Sequence, residues 1–494
     1  MSSTEYRAHE NGLDGEEQTV EPYPWTDAKR YLWILGIIPA LGPILSLPFV
    51  AGFSALGWGT AATLAWFVLP VLVFVVIPIG DVLIGHDGEN PPDEVIDRLE
   101  ADPYYRWCTY LYIPVQYAAL VLACYLWTAD DLSWLGLEGH LGWVAMLGVA
   151  WSVGITSGIG INTAHELGHK IENSEKWLSK ITLATSGYGH FFIEHNRGHH
   201  ARVATPEDPA SSRFGESFWA FLPRSVSGSL RSAWQLEKER LARLGKGPWT
   251  IRNDNINAWL MTLVLFGALT AVFGVQVLPW LLAQAVYGFC LLEVVNYLEH
   301  YGLLRQKTEL GRYQRCRPEH SWNSDHLVTN IFLYHLQRHS DHHANPMRRY
   351  QILRTVDTAP QLPAGYATMI LAAYVPPLWR RIMDHRVLEH YSGDITRANI
   401  QPARREKVLA RHGAPAGEVV NGSTAVVVGD SDARPGTTSA TGLYACPNCG
   451  HHYSEAAGEP REGFAPGTPW SAIPDDWRCP DCGVRDKIDF LPVA

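Results

Sequence analysis

Residues 31–80, YLWILGIIPALGPILSLPFVAGFSALGWGTAATLAWFVLPVLVFVVIPIG, decide the fold, because this run contains no Asp, Glu, Lys or Arg. Roughly 20 apolar residues cross the hydrocarbon core of a bilayer as one helix, so the run is long enough for two crossings. We place the turn between them near residues 51–56. Buried helices of a soluble protein are the alternative, but soluble cores seldom need several uncharged runs of this length. The run therefore predicts two transmembrane helices.

Four more helices are predicted farther along the chain. Uncharged runs cover residues 107–128, 141–164 and 255–292. The last run is long enough for two helices, and the expected break between them is at Gly274. The sequence thus predicts an all-α polytopic membrane bundle of six transmembrane helices.

The positions of Lys and Arg predict how this bundle is oriented. The predicted short loops 51–56, 128–140 and 274–277 contain neither residue, whereas the other side of the bundle is basic. Basic loops stay in the cytoplasm, and the polar N-terminus lacks the layout of a cleaved signal peptide. We therefore expect a multi-pass protein of the bacterial cytoplasmic membrane, with both termini in the cytoplasm. The basic residues that carry this prediction are Lys29, Arg30, Arg98, Arg106, Lys170 and a dense set after Arg305.

The overall composition excludes other classes of protein. The 494 residues carry a formal net charge of −10 and show no basic aromatic patch, so no nucleic-acid partner is expected. Four of the 8 Cys form two C-x-x-C pairs near the C-terminus, and the others are scattered. This is no disulfide framework, and it indicates a reducing compartment.

Clusters of histidine follow the membrane helices on the predicted cytoplasmic side, where they would form a His-rich helical cap. Spacings of three and four residues place imidazoles on one helical face, and neutral imidazole is a good ligand for transition metals. Nine histidines are too many for one ion, so two metals are predicted. The candidate ligands are His165 and His169 in HELGHK, His195, His199 and His200 in EHNRGHH, His300 in NYLEHYG, and His339, His342 and His343 in LQRHSDHH.

Acidic residues accompany these clusters. Nine neutral ligands around two divalent ions would leave a charge of about +4, which is costly to bury near a bilayer. We predict that the acids orient imidazoles and neutralise the site, although any one of them could bind a metal. The candidates are Glu166, Glu194, Glu299 and Asp341, with Asp325 and His326 as weaker ones.

The remaining histidines are not expected to bind metal. His190 and His335 lie near the clusters but out of phase, so support or packing is favoured over metal binding. The others are predicted to be packed or solvated: His9, His86, His140, His412, His451 and His452.

One motif offers a different function. His165-Glu166-Leu167-Gly168-His169 matches H-E-x-x-H, in which two histidines bind zinc and the glutamate is the general base of a metalloprotease. An intramembrane protease would need one more ligand, and it leaves seven clustered histidines and the C-terminal cysteines unexplained. We keep it as a remote alternative.

The C-terminal cysteines predict a second metal site. Cys446-Pro-Asn-Cys449-Gly and Cys479-Pro-Asp-Cys482-Gly are typical of a tetrahedral four-thiolate site, in a zinc ribbon or an iron carrier. The residues between and around them resemble the rubredoxin family over residues 444–494, which implies one iron and one-electron transfer. The resembling residues are Tyr444, Tyr453, Phe464, Pro466, Gly467, Thr468, Trp470, Ile473, Pro474, Trp477 and Phe490.

A basic and then flexible linker, residues 391–442, joins this domain to the membrane part. Its Gly-, Ala-, Ser- and Thr-rich section 414–442 would span roughly 30 Å, which keeps the domain close while it docks and leaves. Residues 444–494 hold eight acids and four bases, whereas residues 304–354 hold nine bases and four acids. We predict that the acidic domain docks on this basic stretch.

Residues from about 30 to 390 resemble the AlkB-type alkane monooxygenases in HELGHK, GHFFIEHNRGHH, NYLEHYGLLR and FLYHLQRHSDHH. The resemblance implies that the nine histidines bind two non-haem irons. It implies O2-dependent hydroxylation of medium-chain n-alkanes to 1-alkanols, and natural fusions of this family with rubredoxin fit the whole chain. An NAD(P)H-dependent rubredoxin reductase would then supply electrons. The expected units are 1–29, 30–390, 391–442 and 443–494.

Two rival functions stay open. A membrane fatty-acyl desaturase shares the iron, the histidines and the membrane, but it removes two hydrogens; the fused rubredoxin and the specific motifs favour hydroxylation. A metal-handling transporter would bind its ion near the bilayer midplane, whereas these clusters lie at the end of the bundle.

The alkane must reach the irons through the bilayer, so a tunnel between helices is expected. Trp58, Trp66 and Leu263 are candidate gates, although membrane Trp more often packs or anchors. We predict that Trp58→Ser accepts longer alkanes, because a smaller side chain lengthens the tunnel. An unchanged product profile on mixed alkanes, measured by gas chromatography, would exclude Trp58.

Overall fold

The computed structural model describes residues 25–309, 311–413 and 439–493. Six helical segments in these ranges are long and apolar enough to cross a membrane. They confirm the predicted bundle, and we number them first to sixth in chain order. The membrane helices are Arg30–Ala55, Gly59–Ile84, Pro103–Thr128, Trp143–Gly168, Asp254–Phe273 and Val275–His300.

Shorter elements complete the described part of the chain. The first two membrane helices contain 3-10 and π turns, for example Arg30–Ile37 and Leu72–Val76. The strands, all in the C-terminal domain, are β1 (Leu443–Ala445), β2 (His452–Ser454) and β3 (Leu491–Pro492). The other main helices are Ile96–Ala101, Asn173–Ala184, Phe191–Ile193, Glu194–His199, His200–Arg202, Phe218–Arg243, Leu327–Phe332, His339–Ala344, Tyr366–Ala373, Pro376–His390 and Arg405–His412.

The helix ends differ slightly from those expected. The first turn, residues 56–58, overlaps the end of the predicted 51–56, and Gly274, with φ +88°, separates the fifth helix from the sixth as predicted. The fourth helix runs on past the uncharged stretch to Gly168. It can do so because Glu166 is buried and paired within the protein, so its charge does not face lipid.

Close packing of the fourth and sixth helices brings the first histidines together. A Cβ at Gly158 would lie 2.9 Å from the carbonyl oxygen of Gly288, and one at Gly288 would lie 3.1 Å from Ser157 Cβ. Small residues let two membrane helices approach this closely. The two helices end beside each other, and this places His165 and His300 at the same end of the bundle.

Buried polar contacts hold the last histidine cluster at this end. Asp81, at the end of the second helix, accepts hydrogen bonds from the Thr329 amide (2.9 Å) and the Thr329 hydroxyl (2.5 Å). Arg338, fully buried just before His339, donates to the carbonyl oxygens of Leu353 (2.7 Å) and Asp87 (2.9 Å). These bonds fix the start of helix His339–Ala344.

The C-terminal domain contains a three-stranded antiparallel sheet of order β2-β1-β3. Its small core contains Tyr444, Tyr453, Phe464 and Trp477 packed around buried cysteines. These are aromatics that the rubredoxin resemblance placed there. The predicted N-terminal segment 1–29, with His9, lies mostly outside the described residues, as does most of the flexible section 414–442.

Candidate metal centres

The nine candidate histidines lie together in two adjacent groups. In each group the ligand nitrogens are all within 4.8 Å of one another, and every one of these histidines is buried. Ring centroids of His200 and His343, which belong to different groups, are only 4.4 Å apart. The first group contains His165, His169, His195, His200 and His342, and the second contains His199, His300, His339 and His343.

The spacing of the nitrogens fits a bound ion in each group. The Nε2 atoms are 2.8 Å apart in the pair His165 and His342, 3.0 Å in His195 and His200, and 2.8 Å in His339 and His343. Ligands at right angles around an ion that lies roughly 2.1 Å from each nitrogen would be about 3.0 Å apart. The donor set is therefore arranged as two separate metal sites.

Adjacent histidines serve different groups. His199 and His200 are neighbours in sequence, yet His200 lies in the first group and His199 in the second; His342 and His343 divide in the same way. Successive side chains on a helix point about 100° apart, so one backbone can present ligands to both centres. The two His-His dipeptides thus tie the centres together.

A widened helical turn accounts for the pairing of His195 with His200. On an α-helix, residues five apart point about 140° away from each other. Helix Glu194–His199 is a π-helix, whose wider turn brings His195 and His200 to one face. Spacing alone would have paired His195 with His199, so this partition could not be read from the sequence.

Burial keeps the imidazoles in the neutral form that binds metal. The loss of hydration lowers the pKa of six of the nine histidines well below the usual value, and neighbouring imidazoles add to the effect. Buried ring nitrogens such as His169 Nε2 and His199 Nε2 have no hydrogen-bond partner in the described chain. A bound ion would satisfy them. The pKa values lowered well below the usual range are those of His169, His195, His200, His339, His342 and His343.

One of the predicted acids contacts a candidate ligand directly. Glu299 Oε2 lies 3.2 Å from His339 Nε2, and its other oxygen has no hydrogen-bond partner in the described residues. The carboxylate therefore points into the second group. It could orient His339 or bind the ion itself.

In the described chain the other predicted acids contact cations, amides or hydroxyls, and their role in neutralising the site stays a prediction. Glu166 pairs with Lys170 (3.0 Å), so it is also badly placed to be a protease base. Such pairs fix the segments that carry the histidines. Glu194 pairs with Arg202 (2.7 Å), Asp341 with Arg348 (2.6 Å), and Asp325 with Arg338 (3.4 Å) and Thr355 (2.6 Å).

Asp208 is a functional residue that sequence reasoning missed. Its carboxylate is buried and lies 2.9 Å from His199 Nδ1, while Ser211 donates to the same oxygen at 2.6 Å. Burial alone would raise the pKa of Asp208, but the contacts with His199 and Ser211 outweigh it and lower the pKa. An acid that holds Nδ1 directs Nε2 of His199 towards the second group.

We expect Asp208→Asn to lower metal affinity or activity about 10- to 100-fold, since His199 loses the carboxylate that orients it. Iron content and product formation by the full chain measure the effect. Glu207→Gln is the matched control, because Glu207 is an exposed neighbour that accepts a hydrogen bond from the Tyr313 hydroxyl (3.3 Å) and none from a histidine in the described chain. Equal activity of both variants would show that Asp208 does not position His199.

The histidines outside the two groups mostly follow expectation. His335 Nδ1 donates to the Tyr350 carbonyl oxygen (2.9 Å), and the His190 ring packs on the Tyr188 ring, with centroids 4.4 Å apart. His326 lies 3.1 Å from His86 and not beside the nine ligands. His451 is partly buried and contacts Asp481 at 2.9 Å.

The four cysteines of the C-terminal domain form a third candidate site. Their Sγ atoms all lie within 4.8 Å, and those of Cys446 and Cys482 are 3.7 Å apart. Tetrahedral thiolates roughly 2.3 Å from an ion would be about 3.8 Å apart. Gly450 and Gly483, with φ +72° and +69°, allow the tight turn after each pair.

This domain docks against the side of the bundle that carries the histidines. Glu462 is nearly buried between Arg197 and Arg243, with Arg243 Nη2 at 3.0 Å. Burial would raise the pKa of Glu462, but these arginines outweigh it and lower the pKa. The docked contact is therefore charge-assisted.

The docking face includes part of the predicted stretch 304–354, where Arg315 pairs with Asp489, and it extends beyond that stretch. Further bases come from Arg197 and helix Phe218–Arg243. The sequence could not show this, because the face is assembled from segments far apart in the chain.

A glycine allows the backbones of the two metal-binding parts to approach closely at one point. Gly483 follows Cys482, and a Cβ there would lie 2.3 Å from the carbonyl oxygen of Asn196. Asn196 in turn follows His195. Backbone contact thus joins a residue next to a thiolate with a residue next to a candidate iron ligand.

The three tunnel candidates lie in different surroundings. Trp66 is fully buried against the fourth helix, where Ser152 donates to its carbonyl oxygen at 3.0 Å. Trp58 and Leu263 are 58% and 67% exposed. Their role as gates stays a prediction, and Trp66 is the candidate that lies inside the bundle.

Comparison with protein families places both parts of the chain. The family described as Fatty acid desaturase matches residues 141–373, a range that includes the nine histidines. The Rubredoxin family matches residues 443–490, which include the four cysteines.

Full-length relatives are more specific. An alkane 1-monooxygenase of Acinetobacter baylyi is 47% identical over 398 residues, covering 80% of this chain and 94% of the relative. Alkane 1-monooxygenase 1 of Alcanivorax borkumensis is 44% identical over 77% of this chain and 91% of its own. An alkane 1-monooxygenase of Ectopseudomonas oleovorans is 43% identical, over 79% of this chain and 93% of the relative.

Proposed function

The chain belongs to the alkane 1-monooxygenase family and carries a rubredoxin domain, and from this premise we propose that it hydroxylates the terminal carbon of medium-chain n-alkanes with O2. The observation that carries the proposal is the convergence of nine buried histidines in two adjacent groups. A product analysis tests it. The full chain should convert octane and dodecane to 1-alkanols and leave a fatty acid unchanged.

The histidine groups are proposed to hold one iron each. When bound, the two irons would supply the redox chemistry that O2 reduction and attack on an unactivated C–H bond require. The protein orients the ligands through Asp208 and Glu299 and keeps water out by burying the groups. No general acid or base is needed for the C–H step.

The rubredoxin domain is proposed to deliver electrons while docked. Reduction of O2 with insertion of one atom into the alkane takes two electrons, whereas a four-thiolate iron carries one. The domain must therefore be reloaded between deliveries, and we propose an NAD(P)H-dependent rubredoxin reductase as its partner. From the Gly-, Ala-, Ser- and Thr-rich composition of residues 414–442, we propose that the domain alternates between the two partners.

The alkane is proposed to enter from the bilayer. The six apolar helices identify a multi-pass membrane protein, and an apolar substrate partitions into lipid. From the Lys and Arg distribution we propose the bacterial inner membrane as its location, with both termini and the rubredoxin domain in the cytoplasm.

We expect Glu462→Gln to lower NADH-driven turnover about ten-fold, because it leaves Arg197 and Arg243 without their shared carboxylate at the docking face. Turnover of the wild-type chain should also fall as ionic strength rises. Asp476→Asn is the matched control, since this acid is exposed and lies on the same domain. If turnover changed neither with ionic strength nor on Glu462→Gln, charge-assisted docking would be ruled out.

The desaturase and protease alternatives are not favoured. The relatives that cover most of the chain are alkane 1-monooxygenases. Glu166, the glutamate of the H-E-x-x-H motif, forms an ion pair with Lys170 and accepts a hydrogen bond from the Tyr350 amide (3.2 Å).

A further inference from the structure

A cavity of about 380 Å³ lies at the seam between the docked rubredoxin domain and the membrane part. Five basic side chains line it, against a single acid, Asp254. Four of the bases come from the membrane part, and Arg461 comes from the rubredoxin domain. The bases are Lys176, Lys180, Arg240, Arg252 and Arg461.

The positive charge of this cavity is only partly neutralised. Asp254 forms ion pairs with Lys180 (2.7 Å) and Arg461 (3.3 Å). Arg240 forms an ion pair with Glu237 (2.7 Å). Lys176 and Arg252 have no side-chain partner among the residues that the structure describes. Uncompensated cations around one cavity attract an anion.

The environment of Lys176 also favours a bound anion. Its side chain is partly buried at the seam, and burial lowers the pKa of its ammonium group while Asp481 opposes the shift. The partly desolvated cation has no carboxylate within ion-pair distance. An anion in the cavity would supply the missing counter-charge.

The cavity lies at the depth of lipid headgroups. Asp254 is the first residue of the fifth membrane helix, so the cavity is at the end of a bilayer span. Exposed Trp177 (49%), Trp249 (81%) and Ile251 (71%) surround this end. Exposed Trp at helix ends is typical of the membrane–water boundary.

We propose that the cavity binds a phosphate group, with the headgroup of an anionic phospholipid as the favoured source. Lys and Arg are the side chains that recognise phosphate, and the site places both around one volume. Because Arg461 belongs to the rubredoxin domain, a bound phosphate would hold both parts of the seam. Lipid binding and docking are then linked, and each strengthens the other.

The test uses the full chain in nanodiscs of phosphatidylcholine, with or without phosphatidylglycerol, and with or without added inorganic phosphate. Phosphatidylglycerol retained after detergent washing is counted by native mass spectrometry, and NADH-driven turnover is measured in parallel. The variants are Lys176→Gln with Arg252→Gln, and Arg461→Gln alone. Lys238→Gln is the control, because it removes an exposed charge on helix Phe218–Arg243 away from the cavity.

The wild-type chain should retain phosphatidylglycerol and turn over about five-fold faster when this lipid is present. The double variant should lose both effects, Arg461→Gln should weaken them, and Lys238→Gln should keep them. An equal gain from inorganic phosphate in phosphatidylcholine would identify a free phosphate as the source. Retention by the double variant equal to that of the wild type would overturn the proposal, and because retention needs no turnover it leaves the hydroxylation proposal untouched.

Discussion

Replacing His342 by alanine is expected to lower alkane hydroxylation by at least about 100-fold. His342 Nε2 lies 2.8 Å from His165 Nε2 and 3.2 Å from His200 Nε2, in the middle of the first group. The substitution would remove one ligand of one iron and leave a buried void. The loss of activity should therefore exceed the loss caused by removing a residue that only orients a ligand. Formation of 1-octanol from octane, with iron per chain, is the measurement.

The control for this prediction is His140→Ala. His140 is exposed in the loop before the fourth helix, at the opposite end of that helix from the metal centres. It should keep full activity and full iron content. If His342→Ala also kept both, the first group would not be a metal site.

Replacing Cys479 by serine is expected to reduce NADH-driven turnover about 100-fold or more, because the rubredoxin iron loses one of four thiolates. Cys479 Sγ lies 3.5 Å from Cys449 Sγ in a compact set with no spare cysteine nearby in the described chain. The membrane centres are untouched by the change. Iron content should fall by about one per chain, and the visible absorption of the thiolate iron should disappear.

A chemical reductant separates the roles of the two parts. After reduction by dithionite, Cys479→Ser should still form product in a single turnover, since its histidines are intact. Cys290→Ser, in the sixth membrane helix, should behave like the wild-type chain in both assays. Normal NADH-driven turnover by Cys479→Ser would mean that electrons reach the site by another route.

The bundle could be predicted from the sequence because membrane insertion depends on a local property. Each uncharged run formed the one or two helices expected from its length, and Gly274 interrupted the last run as expected from its freedom at positive φ. The nine histidines were found for the same reason, since clusters of one ligand type are visible without any tertiary information.

The division of the histidines between two centres could not be predicted in this way. It depends on the π turn that aligns His195 with His200 and on the opposite directions of His199 and His200. Regular α-helical spacing gives the wrong partner. Only the backbone geometry of this one turn decides the grouping.

Contacts between segments that are distant in the chain also could not be predicted from the sequence. Asp208 reaches His199 through a buried loop, and no spacing rule marks it among the other acids. Asp325, a weaker candidate for supporting a histidine, pairs with Arg338 instead. The docking face likewise combines Arg197 with Arg243, which lie in separate helices.

The most direct test of the account is metal analysis of the Cys479→Ser chain. With its rubredoxin site disabled, any metal that this variant keeps belongs to the membrane part. We expect two irons per chain, one for each histidine group. A single zinc, or one metal ion of any kind, would contradict the account.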